Sequence, residues 1–204
     1  MKKKNHSNKP DDYGNVFTEN ASSPVNLCEQ IQPKSNQNSL TIIHFYFFAL
    51  LPIPIAFLYS SFLGNWIGST QFHAVFIAPL MEEFFKISGI MLYTLLYANK
   101  IKSRSQILWA AVIASLSFAV VENMLYAYFR LADVSEEKFI MIMTFRWILL
   151  TLIHMLCALI ASMGVISVWK ALCANKKVKV VHALSFFCIA VFIHASYNFL
   201  ILTL

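Results

Sequence analysis

The sequence predicts an all-α bundle of about five membrane-spanning helices, with the amino terminus inside and the carboxyl terminus outside. Three observations predict it. Apolar stretches recur along the chain, each long enough to cross a hydrocarbon core of ~30 Å at about 1.5 Å per residue. Lysine and arginine crowd alternate connections between those stretches. Five ionisable side chains, Glu82, Glu83, Lys86, Glu122 and Arg146, lie inside the stretches themselves. The composition agrees: 58% of the residues are hydrophobic and only 13% charged, with a mean hydropathy of +0.62. That balance belongs to polytopic membrane proteins and excludes an ordinary soluble domain.

Residues 1–39 are polar and rich in Lys, Asn, Ser and Pro. They offer too little apolar surface to offset chain entropy, so a disordered cytoplasmic tail is expected. No cleavable signal peptide is expected, because the first apolar run begins only near Leu40. The membrane domain then occupies 40–204. Its first stretch, 40–63, carries Pro52 and Pro54 and should kink there. The next three are 72–97, 106–129 and 139–168, the last of them longer than one crossing needs. The fifth is 180–204.

The connections set the orientation. The tail holds Lys2, Lys3, Lys4, Lys9 and Lys34, and 64–71 holds no basic residue. Lys100, Lys102 and Arg104 follow, then Arg130 and Lys138, then Lys170, Lys176, Lys177 and Lys179, and the carboxyl end holds none. Cytoplasmic connections carry the excess Lys and Arg, which puts the amino terminus inside. The net charge of +6 is accounted for in this way, so no nucleic-acid partner is expected. The four cysteines form no C-x-x-C pair and no zinc-type spacing.

Five unpaired charges at membrane depth would cost on the order of 12–17 kcal/mol, so they are expected to pair and to face a protein interior or a wet cavity. Depth supports convergence. Measured from the outer helix ends at 1.5 Å per residue, Glu122, Arg146 and Asn198 lie roughly 9–11 Å deep. Glu82, Glu83 and His194 lie about 15–17 Å deep, and Lys86 and His154 roughly 21–23 Å deep. Faces support it too. At about 100° per residue, Glu82, Glu83 and Lys86 share one arc, and Phe118, Glu122, Asn123 and Tyr126 share another. His194 and Asn198 are one turn apart. Tyr126 and Tyr197 read as interfacial anchors.

The chemistry these parts favour is hydrolysis. Two carboxylates held side by side cannot both carry charge cheaply, which favours a general base able to take a proton from water. Histidine can share that proton, and Asn or His donors can stabilise an oxyanion. Either Glu82 or Glu83 can be the base on this reading. Other intramembrane hydrolase patterns are missing from the sequence: it has no H-E-x-x-H, no G-x-S-x-G, no G-x-G-D, and no Asp inside a predicted span.

The order and spacing of these residues resemble the PrsW family of intramembrane peptidases, distant relatives of the CAAX-prenyl protease and bacteriocin-processing group. The motifs stand here as Glu82-Glu83-Phe84-Phe85-Lys86, then Phe118 with Glu122, Asn123 and Tyr126. Arg146 follows, eight residues before His154, and then His194-Ala195-Ser196-Tyr197-Asn198. The resemblance implies a glutamate-type protease of the bacterial cytoplasmic membrane that cuts membrane-tethered proteins, typically anti-sigma factors. It implies Glu82, Glu83, His154 and His194 as the catalytic set, with Glu82 activating water together with a histidine and Glu83 and Lys86 orienting it. Lys86, Glu122, Asn123, Arg146 and Asn198 would orient them, with His194 and Asn198 supplying oxyanion contacts. Glu122 stands where the CAAX-type relatives carry a histidine. No metal or other cofactor is expected, although a zinc peptidase can be built from the same Glu and His residues. The partners implied are the substrate and the bilayer. A proton-coupled carrier or a non-catalytic binding protein is the alternative, since intramembrane carboxylates and histidines also form proton relays.

Overall fold

The computed structural model describes residues 39–58, 71–131 and 133–203, so the predicted tail apart from Ser39, the end of the predicted first stretch (59–63) and 64–70 of the connection after it lie outside the described residues. The described residues are helical throughout, joined by short turns. Helix α1 spans Ser39–Leu50, and its helical run continues to Leu58. A π-turn, His73–Ile77, leads into α2, Ala78–Tyr97. Helix α3 is Arg104–Arg130, and α4 is Glu136–Phe145. A second π-turn, Arg146–Leu150, joins α4 to α5, Thr151–Cys173. Helix α6 is Val180–Thr203.

Four of these runs are long and apolar enough to cross a membrane: Ser39–Leu58, Arg104–Phe129, Glu136–Cys173 and Val180–Thr203. Helix α2 has the length of a span, at 20 residues. Glu82, Glu83 and Lys86 load its centre with charge, which is why hydropathy alone passes over it. The chain is a multi-pass all-α membrane protein. The run Glu136–Cys173 extends past its predicted 139–168 to 38 residues, or roughly 57 Å at 1.5 Å per residue. Most of α4 is exposed, and Met143 is its buried residue.

Local sequence explains the helix ends. Ser103 caps α3 by accepting from the Gln106 backbone N–H at 3.4 Å, while Gln106 Oε1 accepts from the Lys102 N–H at 3.1 Å. This is a reciprocal arrangement of the capping-box kind. Helix α4 begins after Ser135 with Glu136 and Glu137 in its first turn, where the helix dipole favours negative charge. Helix α5 stops at Asn175, whose φ of 53° is left-handed. Asn tolerates that conformation, and the turn closes through Lys176 N–H to Ala171 O at 2.9 Å.

The prolines of α1 shape a helix contact. Pro52 has no N–H to offer the Phe48 carbonyl four residues earlier. That carbonyl meets α2 at Gly89, where a Cβ would collide with Phe48 O and lie 3.0 Å from Pro52 Cδ. Glycine is required there because the two backbones touch. Helix α5 sits centrally, packed on α2, α3 and α6. Its Gly164 lies against Ala183 of α6, whose oxygen would be 2.8 Å from an added Cβ. In bilayers such small residues let helices approach for van der Waals gain.

The buried interior divides into two layers along the helices. One is apolar, built on Phe45, Ile90, Tyr93, Ala161, Val165 and Trp169. Trp169 Nε1 donates to the Ala98 carbonyl at 3.1 Å and ties α5 to the end of α2. The other layer is polar. It holds Glu83, Lys86, Asn123, His154 and His194, all at most 1% exposed.

Candidate functional site

Helix α2 places Glu82, Glu83 and Lys86 within little more than one turn. Lys86 Nζ donates to Glu83 Oε1 at 2.7 Å, an i, i+3 pair sealed from solvent. The same ammonium donates to His154 Nδ1 from α5 and lies 4.6 Å from the centre of the Phe118 ring of α3. A ring nitrogen that accepts from an ammonium must be unprotonated, so His154 carries its proton on Nε2. That Nε2 donates to Glu122 Oε2 at 2.8 Å.

Glu122 is held from the other side by Arg146, whose Nη2 donates to Oε1 at 2.9 Å. Arg146 Nε donates to Asn123 Oδ1 at 3.1 Å, and the guanidinium stands 3.8 Å from the centre of the Tyr126 ring. One arginine therefore grips three residues of the α3 motif. It does so from the π-turn Arg146–Leu150, a local widening of the kind often found at functional sites. Tyr126, expected as an interfacial anchor, is also the aromatic platform for this cation.

Helix α6 closes the network. His194 Nδ1 donates to Glu83 Oε1 at 2.8 Å, and its ring packs edge-on to His154 with centroids 4.8 Å apart. His194 Nε2 faces Glu82 Oε2 at 3.6 Å, too far for a hydrogen bond. Glu82 Oε2 is buried and has no hydrogen-bond partner. Three carboxylates thus meet two cations: Glu83 pairs with Lys86 and Glu122 with Arg146, and Glu82 is the acid left over.

Eight of the nine residues singled out by sequence meet in this cluster. Seven form one hydrogen-bonded web, with Glu82 at its edge. Asn198 stands apart from the web. Its Nδ2 donates to the Ala74 carbonyl at 3.0 Å, fastening α6 to the π-turn that precedes α2. Sequence reading passed over Thr151, whose Oγ1 is buried without a partner one turn before His154. Its spacing of three from His154 places both on one helical face.

One ligand atom each from Glu82, His154 and His194 lie within 4.8 Å of one another, and a Glu with two His is a donor set that zinc takes in hydrolases. Two of these donors, Glu82 Oε2 and His194 Nε2, are free of hydrogen bonds to other groups. The third is not: both ring nitrogens of His154 are engaged, by Lys86 and by Glu122. A metal at His154 would require one of those bonds to break and would bring its charge against the Lys86 ammonium.

Residues 37–204 match the family model described as PrsW family intramembrane metalloprotease. Neither the curated proteins nor the solved structures give a match.

Proposed function

The chain belongs to the PrsW family of intramembrane proteases, and from that premise we propose that it is a metal-independent endopeptidase in which Glu82 activates water. The single observation that carries this reading is the unmatched carboxylate. Glu82 Oε2 and His194 Nε2 face each other at 3.6 Å, and both are acceptors when the His194 proton lies on Nδ1 against Glu83. A group that contacts both acceptors must bring protons, and water does. Glu83, with 0% exposure and bonds to Lys86 and His194, is committed to orientation. The choice between the two glutamates therefore falls on Glu82.

The mechanism follows from these positions. Glu82 takes a proton from water, and the hydroxide oxygen bonds to the scissile carbonyl carbon. The carbonyl electron pair moves to oxygen. When the tetrahedral intermediate collapses, the C–N bond breaks and the proton held at Glu82 passes to the leaving amine. His194, held by Glu83 on the far side of its ring, steadies the water. His154 connects Lys86 to Glu122 and positions both. The substrate class is a membrane-tethered protein, anti-sigma-factor-like, in a bacterial cytoplasmic membrane. The alternating Lys and Arg counts of the connections support an amino terminus inside.

The test compares membrane-protein fragments in cells carrying the wild-type chain or Glu82→Gln. Fragments present only with the wild type support the reading, and identical fragment patterns overturn it. A zinc enzyme is the second reading, favoured by the Glu82, His154 and His194 spacing. Loss of cleavage on chelation, restored by zinc, would establish it over the first. Full cleavage after chelation supports the first.

A further inference from the structure

Directions can be assigned to the hydrogen bonds of the polar layer, and the assignment leaves particular atoms over. Arg146 Nε only donates, so the Asn123 atom at 3.1 Å is its oxygen, and the amide nitrogen is turned elsewhere. That Nδ2 is buried with no partner, on a side chain with 0% exposure. The other orphans of this layer are Glu82 Oε2 and Glu83 Oε2, which accept, and Thr151 Oγ1. A buried amide donor without an acceptor is costly at membrane depth, where no bulk water relieves it. A substrate peptide group supplies what is lacking, because its carbonyl oxygen needs a donor.

We infer that Asn123 Nδ2 is a catalytic donor that binds the scissile carbonyl oxygen and the oxyanion it becomes, an inference that rests on the hydrolase reading above. Its clamp argues for the role. The guanidinium that holds Asn123 Oδ1 also holds Glu122, and Glu122 holds His154, so the amide is fixed within the web that carries the acid–base groups. A donor fixed before the substrate arrives costs no reorganisation when charge develops on oxygen. Asn198 is the other amide on a motif, and its Nδ2 already donates to the Ala74 carbonyl. Its bond holds two helices together, whereas the Asn123 nitrogen holds nothing.

The test uses the full chain in lipid vesicles and a reporter made of a soluble domain tethered by one apolar span, chosen because the wild type cleaves it. Asn123→Asp is the decisive variant. It keeps an oxygen for Arg146 but removes the N–H donor. Asn123→Ala removes both. Expected is a fall in kcat of about 100-fold or more for each, with KM within about threefold. Trp169→Phe, in the apolar layer, should lower the thermal midpoint and leave kcat near wild type. Near-wild-type kcat for Asn123→Asp would reduce Asn123 to a positioning residue and overturn the inference. So would a 100-fold fall in kcat for Asn198→Ala with none for Asn123→Asp. Cleavage that Glu82→Gln leaves unchanged marks failure of the hydrolase reading itself, and the inference falls with it.

Discussion

The same helices build two unlike layers. Helix α2 gives Glu82, Glu83 and Lys86 to one and Ile90 and Tyr93 to the other, and α5 gives His154 to the first and Val165 and Trp169 to the second. The apolar layer is held by shape: Gly89 against Phe48, Gly164 against Ala183, and the rings of Phe45 and Tyr93 edge to face at 4.9 Å. The polar layer is held by charge-assisted bonds that run from helix to helix. The difference is in what remains unused. Steric packing saturates its contacts and leaves no chemistry, while the polar layer keeps donors and acceptors without partners at Glu82, Glu83 and Asn123. A site is where a well-ordered interior stops short of satisfying itself.

That contrast can be broken or sharpened by mutation. The largest effect is expected at Lys86, which is 1% exposed and bonds both Glu83 and His154. Lys86→Met leaves a buried carboxylate uncompensated and should cost about 3–5 kcal/mol, read as a lowered thermal midpoint together with lost cleavage. If stability and cleavage both survive, the two layers are not held differently. Next is Ile90→Ala in the apolar layer. Lipid tails are as apolar as the core, so the loss is mainly that of packing contacts, about 2 kcal/mol at the low end of core truncations. Thermal unfolding should register it while the folded fraction cleaves at the wild-type rate. Gly89→Ala should cost about 1–2 kcal/mol by forcing α1 from α2, again without a change in kcat. The smallest is Trp169→Phe, which loses the bond to Ala98 O and about 1 kcal/mol.

How much of this was legible in the sequence differs by residue. Composition and segment length carry the fold class. The convergence of Glu82, Glu83, Lys86, Glu122, Asn123, Arg146, His154 and His194 follows from depth and helical face. Pairing does not, because a face says where a side chain points and not which partner it meets. Tyr126 illustrates this: its place near a helix end says nothing of the Arg146 guanidinium that stands over its ring. Asn198 is the other case. Its one-turn spacing from His194 predicts a shared face, but the π-turn at His73–Ile77 brings the Ala74 carbonyl to it. A π-turn carries an extra residue and turns the face beyond it by about a residue's rotation, which a strict 3.6-residue period does not anticipate. The charged middle of α2 masks a helix of spanning length for a similar reason: the residues that make the site lower the hydropathy that would announce the span.

The most direct measurement is cleavage of the tethered reporter in vesicles prepared in ¹⁸O-labelled water, with the new carboxyl terminus weighed by mass spectrometry. The account predicts one ¹⁸O atom in the wild-type product and a loss of product of about 1,000-fold with Glu82→Gln, the folded protein remaining intact. A Glu82→Gln variant that yields labelled product at the wild-type rate would contradict it.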